Sequence, residues 1–171
     1  MSVPATIETE RLILTPIAPE DFAPWPAFYA SDRARFIGGS LDPAQTWFKH
    51  AQLCGIALMG GGQGHWSVRA RDGAYLGRVG LEQAHGWPEM ELGWTFLAEA
   101  SGKGYATEAG GALRDWALGT LGLASLVSFI DEANAPSQAV ARRLGAAPDP
   151  AAFAGYPGCV AWRHPVAGGA A

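Results

Sequence analysis

The residue types that could do chemistry concentrate in one glycine-containing segment, Ser101-Gly102-Lys103-Gly104, between a β-type run and a helical pattern. Glycines at a strand-to-helix turn allow several backbone N–H groups to converge, and the first turn of the helix adds a partial positive charge. Such a turn binds phosphate oxygens. The segment therefore predicts a site for a ligand with a diphosphate, although a helix start without a ligand explains a lone loop equally well.

Two common phosphate-binding motifs can be compared with this segment. A nucleoside-triphosphate P-loop requires Ser or Thr after Gly-Lys, but Gly104 follows Lys103. A dinucleotide fingerprint requires Gly or Ala where Thr107 stands, although Asp131 could bind a ribose. The P-loop is excluded, and nucleotide binding remains a third alternative, to be tested by whether ATP or NAD raises the melting temperature when CoA does not.

Composition limits the class of protein. The 171 residues are 49% hydrophobic and 16% charged with a net charge of -4, which favours one folded domain over residues 1–165. The negative balance disfavours nucleic-acid binding, and no apolar run is long enough for a membrane span, so we expect a cytoplasmic protein. Cys54 and Cys159 are predicted to be small core residues with no metal site, and residues 166–171 a disordered tail.

Periodicity predicts the elements that position the turn. Strand patterns occupy residues 11–17, 65–69, 75–81, 90–96, 126–130 and 159–164. The second, third and fourth of these are predicted to form an antiparallel meander. A short or bent helix begins at Pro19, and a longer one begins at Pro43 with Asp42 as its N-cap. Its predicted buried face comprises Ala44, Phe48, Ala51, Gly55 and Leu58. Two further helices flank the strand at 126–130, which gives a mixed α/β fold of six or seven strands and four helices.

Several segments in order along the chain resemble the motifs of the GNAT superfamily of N-acetyltransferases, most closely its ribosomal-protein N-terminal (Rim-type) branch. The resemblance covers residues 8–164, nearly the whole chain. It rests on Thr9-Glu10-Arg11-Leu12-Ile13-Leu14, Glu91-Leu92-Gly93-Trp94, Gly102-Lys103-Gly104-Tyr105-Ala106-Thr107-Glu108-Ala109, Asn134-Ala135-Pro136-Ser137 and Arg143-Leu144-Gly145.

The resemblance implies direct acetyl transfer from acetyl-CoA to a primary amine, on a mostly antiparallel sheet whose central strands splay apart around the pantetheine arm. It implies that the diphosphate contacts Gly102, Lys103, Gly104, Tyr105, Ala106 and Thr107. It further implies that Phe96 and Leu97 pair with the pantetheine amides and that Asn134 hydrogen-bonds the opposite side of the cofactor.

The sequence departs from the family pattern at two positions. Ser101 stands where the diphosphate motif usually begins with Arg or Gln. Ala141 stands where many members have a tyrosine that protonates the leaving thiolate, so Ser137 is the candidate acid. A thiolate with a pKa near 8.5 leaves easily, and the absence of a strong acid is therefore tolerable.

A base must remove a proton from the acceptor, because an amine with a pKa near 10 is almost entirely ammonium at neutral pH. Glu91 is the first candidate, since it alternates away from the Leu92 face and matches the glutamate of the family's Glu-x-Gly pattern. Glu82 and His85 are second candidates. An ordinary exposed or ion-paired acid is the alternative for each.

Aromatic residues divide into two groups. Interior positions in strands or helices predict packing for Trp66, Trp94, Trp116 and Trp162. Residues in proline- or glycine-rich segments could line an acceptor pocket: Trp25, Phe28, Tyr29, Phe36, Trp87 and Tyr156.

We expect an acetyl-CoA-dependent N-acetyltransferase, monomeric or homodimeric, whose acceptor is a protein or peptide N-terminus. The alternatives are a small-molecule amine such as an antibiotic or polyamine, and a non-catalytic acyl-CoA-binding module.

Overall fold

One sheet organises residues 6–166, the part of the chain described by the computed structural model. Its strands are β1 (Ile7–Glu8), β2 (Leu12–Pro16), β3 (Gly64–Ala70), β4 (Tyr75–Glu82), β5 (Glu91–Phe96), β6 (Val127–Asp131), β7 (Ala147–Asp149) and β8 (Cys159–Arg163). Their order is β1-β2-β3-β4-β5-β6-β8-β7, and every neighbouring pair is antiparallel except β5 and β6. Of the tail predicted to be disordered, all but Val166 lies outside the described residues.

Four α-helices accompany the sheet within residues 6–166. They are α1 (Trp25–Tyr29), α2 (Pro43–Gly55), α3 (Tyr105–Gly119) and α4 (Ala135–Arg143). Short 3-10 helices cover Pro19–Phe22, Asp32–Phe36, Ile56–Met59 and Ala98–Ala100. The predicted mixed, mostly antiparallel sheet with four helices is confirmed. Eight strands are present in residues 6–166 where six or seven were predicted, because the edge strands β1 and β7 are too short to produce a sequence pattern.

Alternation along the central strands separates an apolar face of the sheet from a polar one. Val79 and Leu92 are fully buried on the apolar face, under the Ala109 and Leu113 side of α3. The intervening positions include Ser67, Arg78, Glu82 and Glu91, which point to the opposite face because strand side chains alternate. The meander predicted for β3, β4 and β5 is confirmed, and its polar face is available for a site.

The segment between β1 and β2 is hydrogen-bonded to the first turn of α3 through Thr9 and Arg11. Glu108 accepts hydrogen bonds from Thr9 Oγ1 at 2.6 Å, Arg11 N at 2.9 Å and Arg11 Nε at 2.6 Å. Burial opposes ionisation of Glu108, but these hydrogen bonds outweigh it and lower the pKa of the carboxyl group. The contact joins two motifs, Thr9–Leu12 and Gly102–Ala109, that are distant in sequence.

The apolar face predicted for α2 is wrong. Phe48 is 68% exposed and Leu58 88% exposed, while the buried residues of α2 are Thr46, His50 and Leu53. The polar members of this buried set are bonded, since Thr46 Oγ1 donates to Asp42 O at 2.8 Å and His50 Nε2 lies 2.9 Å from Ala18 O. The start of the helix is as predicted, with Asp42 capping the N–H of Gln45 at 2.8 Å.

The segment before α2 is interrupted as its prolines predict. The 3-10 helix Pro19–Phe22 and the five-residue α1 replace a continuous helix, and Trp25, Phe28 and Tyr29 of this segment are buried. Trp25 and Phe28 thus belong to a core cluster, and Phe28 also lines the groove described below. No helix in the described ranges is both long and apolar enough to cross a bilayer.

Candidate active site

The two central strands separate where the site begins. β5 and the parallel β6 share one backbone pair, Glu91 with Val127, whereas each is paired along its whole length with its other neighbour, β5 with β4 and β6 with β8. Ser128 bridges the two strands at this point, since its Oγ donates to Leu92 O at 2.6 Å and lies 2.9 Å from His164 Nε2. The splayed pair that the sequence predicted is confirmed, and the gap between its strands can admit an extended ligand.

The turn between β5 and α3 has the backbone conformation that its glycines allow. Gly102 has φ +74° and Gly104 has φ +79°, both in the left-handed region that favours glycine. Gly104 is the N-cap residue of α3, so the N–H groups of the first helical turn face the groove beside it. The geometry matches that of an anion site at the N-terminus of a helix.

A groove of about 1000 Å³ runs along this turn and the open side of β5. Most of the predicted cofactor residues line it, namely Phe96, Gly102, Gly104, Tyr105, Ala106, Thr107 and Asn134. Lys103 is exposed outside this lining, and its carbonyl accepts a hydrogen bond from Arg11 Nη1 at 2.9 Å. Leu97 packs against the cluster around Trp25, and its N–H donates to Leu76 O at 2.9 Å, so this N–H is not free for a ligand.

One polar atom in the groove fits a phosphate. The Thr107 hydroxyl is buried and has no hydrogen-bond partner among the described residues. A buried hydroxyl without a partner costs free energy, which a phosphate oxygen at the N-terminus of α3 would recover. The groove therefore fits the diphosphate of a coenzyme by an observation separate from the glycines.

Arg33 is a groove residue that sequence reasoning missed. Its Nη2 donates to Ser101 Oγ at 2.8 Å and to Phe96 O at 3.0 Å, and its side chain lines the groove. A guanidinium thus reaches the turn at the position where Arg or Gln was expected and Ser101 stands. Arg33 comes from the 3-10 helix Asp32–Phe36, and no spacing in the sequence links that helix to the turn.

A second cavity, of about 420 Å³, lies on the polar face of the sheet, and we term it the acceptor cavity. It joins the groove at seven residues that line both spaces: Arg35, Phe36, Ile37, Trp94, Thr95, Asn134 and Ser137. Glu82 and Glu91 line the acceptor cavity but not the groove. The junction is where a reactive group delivered along the groove would meet a group held beside the two glutamates.

Glu91 is the most strongly perturbed carboxyl group of the cavity. Burial raises its pKa to about 8, and the charge of Glu82 acts in the same direction. Glu82 lies directly opposite Glu91 in the β4–β5 register, so their side chains share one face. With a pKa near 8, Glu91 is mostly protonated at neutral pH, but its ionised form is a stronger base than an ordinary glutamate and accepts a proton from an ammonium group more readily.

Glu82 has a different environment from Glu91. Its Oε2 lies 3.2 Å from Nε2 of the buried His65. Burial opposes ionisation of Glu82, but the interaction with His65 and the charges of Lys49 and Arg78 outweigh it and lower the pKa of this carboxyl group. Opposite shifts in a pair of neighbouring carboxyl groups are typical of divided acid and base roles. His85 lies exposed in the β4–β5 connection, outside the cavity lining.

Ser137 and Ala141 differ in their access to the junction. Ser137 lies in the first turn of α4, where its N–H donates to Asn134 Oδ1 at 3.2 Å, and it lines both spaces. Ala141 is fully buried and packs with Ile130 and Trp162. Of the two α4 positions, only Ser137 could thus protonate a leaving group at the junction.

Aromatic side chains border the acceptor cavity. Tyr29, Phe36 and Tyr156 line it, as the sequence suggested, and Phe129 was not foreseen. Trp87 is 5.0 Å from Phe129 and 5.4 Å from Tyr156 between ring centroids. Burial raises the pKa of Tyr156 to about 12.

The two cysteines are both free and partly exposed. The sequence predicted that both are small core residues, whereas the structure leaves each of them partly exposed. Cys159 begins β8 and lines the acceptor cavity.

Comparison with known proteins gives consistent results. The model of the acetyltransferase (GNAT) domain matches residues 11–147. An acetyltransferase from Agrobacterium tumefaciens is 37% identical, with a TM-score of 0.87 over 96% of each chain. No curated protein matches the sequence significantly.

Two more distant structures are similar in fold alone. A GNAT-family acetyltransferase from Bacillus anthracis is 19% identical, with a TM-score of 0.74 over 93% of this chain and 96% of that chain. A ribosomal-protein-S5-alanine acetyltransferase from Vibrio fischeri is 16% identical, with a TM-score of 0.67 over 94% of this chain and 95% of that chain.

Proposed function

Because this chain belongs to the GNAT family of acetyltransferases, we propose that it transfers the acetyl group of acetyl-CoA directly to a primary amine in the acceptor cavity. The observation that best supports this proposal is the junction of the two spaces beside Glu91. A long ligand in the groove and an amine in the cavity can meet there without a covalent enzyme intermediate.

The groove residues would hold the coenzyme at two places. The first turn of α3, with Gly102, Gly104 and Thr107, would bind the diphosphate, with Arg33 beside it. Phe96 and Asn134 would border the pantetheine arm on β5 and at the start of α4. The thioester would then lie near Trp94 and Thr95, which line both spaces.

The acceptor nitrogen loses two protons in the reaction, and the sulfur of the coenzyme gains one. Glu91 would take the first proton from the acceptor ammonium, directly or through water, and the neutral amine would attack the thioester carbon. The C–N bond forms as the C–S bond breaks, Ser137 would give a proton to the departing thiolate, and the second proton of the nitrogen would return to Ser137 through water. Since a thiolate is a good leaving group, Ser137→Ala is expected to lower kcat by about tenfold or less.

We propose a peptide or protein N-terminus as the acceptor, entering past the half-exposed rings of Phe153 and Tyr156. A chain can extend outward there while its first residue occupies the cavity. A small-molecule amine is the second candidate, since a cavity of about 420 Å³ can enclose one.

The test is thiol release from acetyl-CoA against a panel of peptides and small amines. We expect turnover with at least one amine, and Glu91→Gln to lower kcat by about a hundredfold or more while acetyl-CoA affinity stays within about twofold. Glu8→Gln is the matched control, because Glu8 pairs with Arg71 on an exposed surface. Wild-type turnover that Glu91→Gln leaves unchanged would disprove the base, and absence of turnover with every amine would disprove the proposed function.

A further inference from the structure

Arg78 is a buried cation in the acceptor cavity that the proposed reaction does not use. It lies in the middle of β4 between Ser67 on β3 and Thr95 on β5, and it is only 5% exposed. Its side chain is on the polar face, because Arg78, Gly80 and Glu82 alternate with the apolar residues of β4. The guanidinium therefore borders the same space as the two glutamates.

No carboxylate among residues 6–166 forms an ion pair with this guanidinium. Among residues 6–166, Arg78 takes part in none of the ion pairs, although Arg69 on the next strand pairs with Asp21. Arg78 Nη2 donates to the Tyr29 hydroxyl at 2.8 Å, and its Cζ lies 3.9 Å from the Trp25 ring centroid. These neutral groups orient the guanidinium, and the charge of Glu82 acts on it without an ion-pair contact.

One nitrogen of Arg78 also lacks a hydrogen bond. Nη1 is buried and has no partner among the described residues. A guanidinium offers a planar set of donors that suits a carboxylate, and burying such a donor without an acceptor is unfavourable. A buried guanidinium with a free N–H donor beside a cavity therefore predicts a ligand with a negatively charged oxygen group, such as a carboxylate.

We propose that Arg78 binds a carboxylate of the acceptor, so that the substrate is an amine that also has a carboxylate group. This proposal rests on the proposed function, since it assigns the amine to Glu91. Arg78 and Glu82 are four residues apart on β4, about 13 Å along the strand. A substrate with its amine near Glu82 and Glu91 and its carboxylate near Arg78 would span the cavity lengthwise.

The charge pattern also selects against one class of amine. A polyamine with one ammonium near Glu82 and Glu91 would bring its second ammonium toward Arg78, although Asp131 also lines the cavity. Like charges in a buried space are repulsive and give specificity against such a ligand. The carboxylate has two sources, a free amino acid or an acidic side chain near a peptide N-terminus, and both have the same chemistry.

The test compares acceptors that differ only in the carboxylate. Thiol release from acetyl-CoA is measured with ω-amino acids from glycine to ε-aminocaproate and with their amides, and with Ala-Asp and Ala-Glu peptides against Ala-Asn and Ala-Gln peptides. We expect wild-type kcat/KM to favour the carboxylate in at least one of these two arms by about tenfold or more. The arm with the larger preference identifies the source.

Substitutions of Arg78 separate binding from a structural role. Arg78→Met is expected to remove the preference for the carboxylate acceptor, because kcat/KM should fall by about tenfold more for the carboxylate acceptor than for its amide. Arg78→Lys, which keeps the charge but not the planar donors, is expected to retain part of the preference, and it provides the test if Arg78→Met does not fold. Arg71→Met, at an exposed ion pair with Glu8, is the matched control and should keep the full preference.

Two results would overturn the proposal, and a third concerns the reaction itself. Equal wild-type kcat/KM for carboxylate and amide acceptors would overturn it, as would an equal loss for both acceptors in a folded Arg78 variant. Absence of thiol release with any amine would instead disprove the proposed function. The two failures are therefore distinguishable in the same assay.

Discussion

Glu82 and Glu91 show how position in a sheet sets the chemistry of identical side chains. The two residues face each other across β4 and β5, yet only Glu82 has the His65 ring within 3.2 Å. Burial and the charge of Glu82 raise the pKa of Glu91 to about 8, whereas the pKa of Glu82 is lowered. One carboxylate is therefore available to hold a charge while its neighbour exchanges a proton.

The raised pKa of Glu91 has a consequence for stability. An unfolded glutamate has a pKa near 4.3, so between that value and about 8 the folded state binds more protons than the unfolded state. The contribution of Glu91 to the free energy of unfolding therefore falls as pH rises through this window and levels off above it.

Glu91→Gln removes this pH dependence. We expect the variant to match wild type near pH 4 and to be more stable by roughly 2 to 4 kcal/mol at pH 9. Urea unfolding at several pH values measures the difference, with Glu8→Gln as control. A stability difference that does not change with pH would contradict the assigned shift.

Substitution of Arg33 tests whether its guanidinium replaces the basic or amide side chain that the family pattern has at position 101. Its guanidinium contacts Ser101 Oγ and Phe96 O, so Arg33→Ala should weaken acetyl-CoA binding by about tenfold and leave acceptor KM nearly unchanged. Adding Ser101→Arg to Arg33→Ala should restore most of the affinity. Calorimetric titration of acetyl-CoA measures both effects, and failure of the double variant to recover would show that Arg33 acts by another route.

Strand periodicity was the most reliable guide from sequence to structure. β3, β4 and β5 alternate apolar and polar residues, so their extent and the orientation of Glu91 away from Leu92 could be predicted. Helix α2 could not be placed in the same way. It covers the polar face of the sheet, where Thr46 and His50 are buried and bonded, so the hydrophobic stripe through Phe48 marks the exposed side.

The least predictable residues act through tertiary contacts. Arg33 reaches the turn from a 3-10 helix more than sixty residues earlier in the chain, and Arg78 was visible only as part of a glycine-containing strand. The spacing of residues in the sequence does not indicate that Arg78 has no ion-pair partner among the described residues. The conformation of the turn at Gly102 and Gly104 was predictable because glycine and helix-start signals are local, whereas the hydrogen bond from Leu97 N–H to Leu76 O is a tertiary contact that no local signal indicates.

The gap between β5 and β6 depends on a small polar bridge. Ser128 Oγ joins Leu92 O on β5 to His164 Nε2 beyond β6. Ser128→Ala leaves buried polar groups without their partner and is expected to destabilise the fold by roughly 1 to 3 kcal/mol. It should also lower kcat/KM, since Ser128 lines the acceptor cavity.

Chemical denaturation and steady-state kinetics measure the two effects of Ser128→Ala. Ser40→Ala is the control, because Ser40 is exposed. An unchanged free energy of unfolding would mean that the strands diverge at this point without the bridge.

The groove is locally positive although the whole molecule has a negative net charge. The chain has a net charge of -4, yet the groove is lined by Arg11, Arg33, Arg35 and Arg143 against Asp32 and Glu108, four positive residues against two negative ones. A local positive field attracts a polyanionic coenzyme while the rest of the surface remains acidic. The groove therefore distinguishes ligands by both charge and length.

This combination predicts which ligands stabilise the whole molecule. A ligand at a hundred times its Kd stabilises the folded state by about 2.7 kcal/mol, which for a domain of this size raises Tm by roughly 5 to 10 °C. Acetyl-CoA and CoA should produce this shift, because the site proposed in the groove would hold the pantetheine arm along β5 as well as the diphosphate. ATP and NAD supply phosphates but cannot fill the gap toward Ser137, so they should raise Tm by less than about 2 °C under the same conditions. A thermal-shift titration with all four ligands measures the difference, and stabilisation by ATP or NAD without stabilisation by CoA would instead identify a nucleotide site.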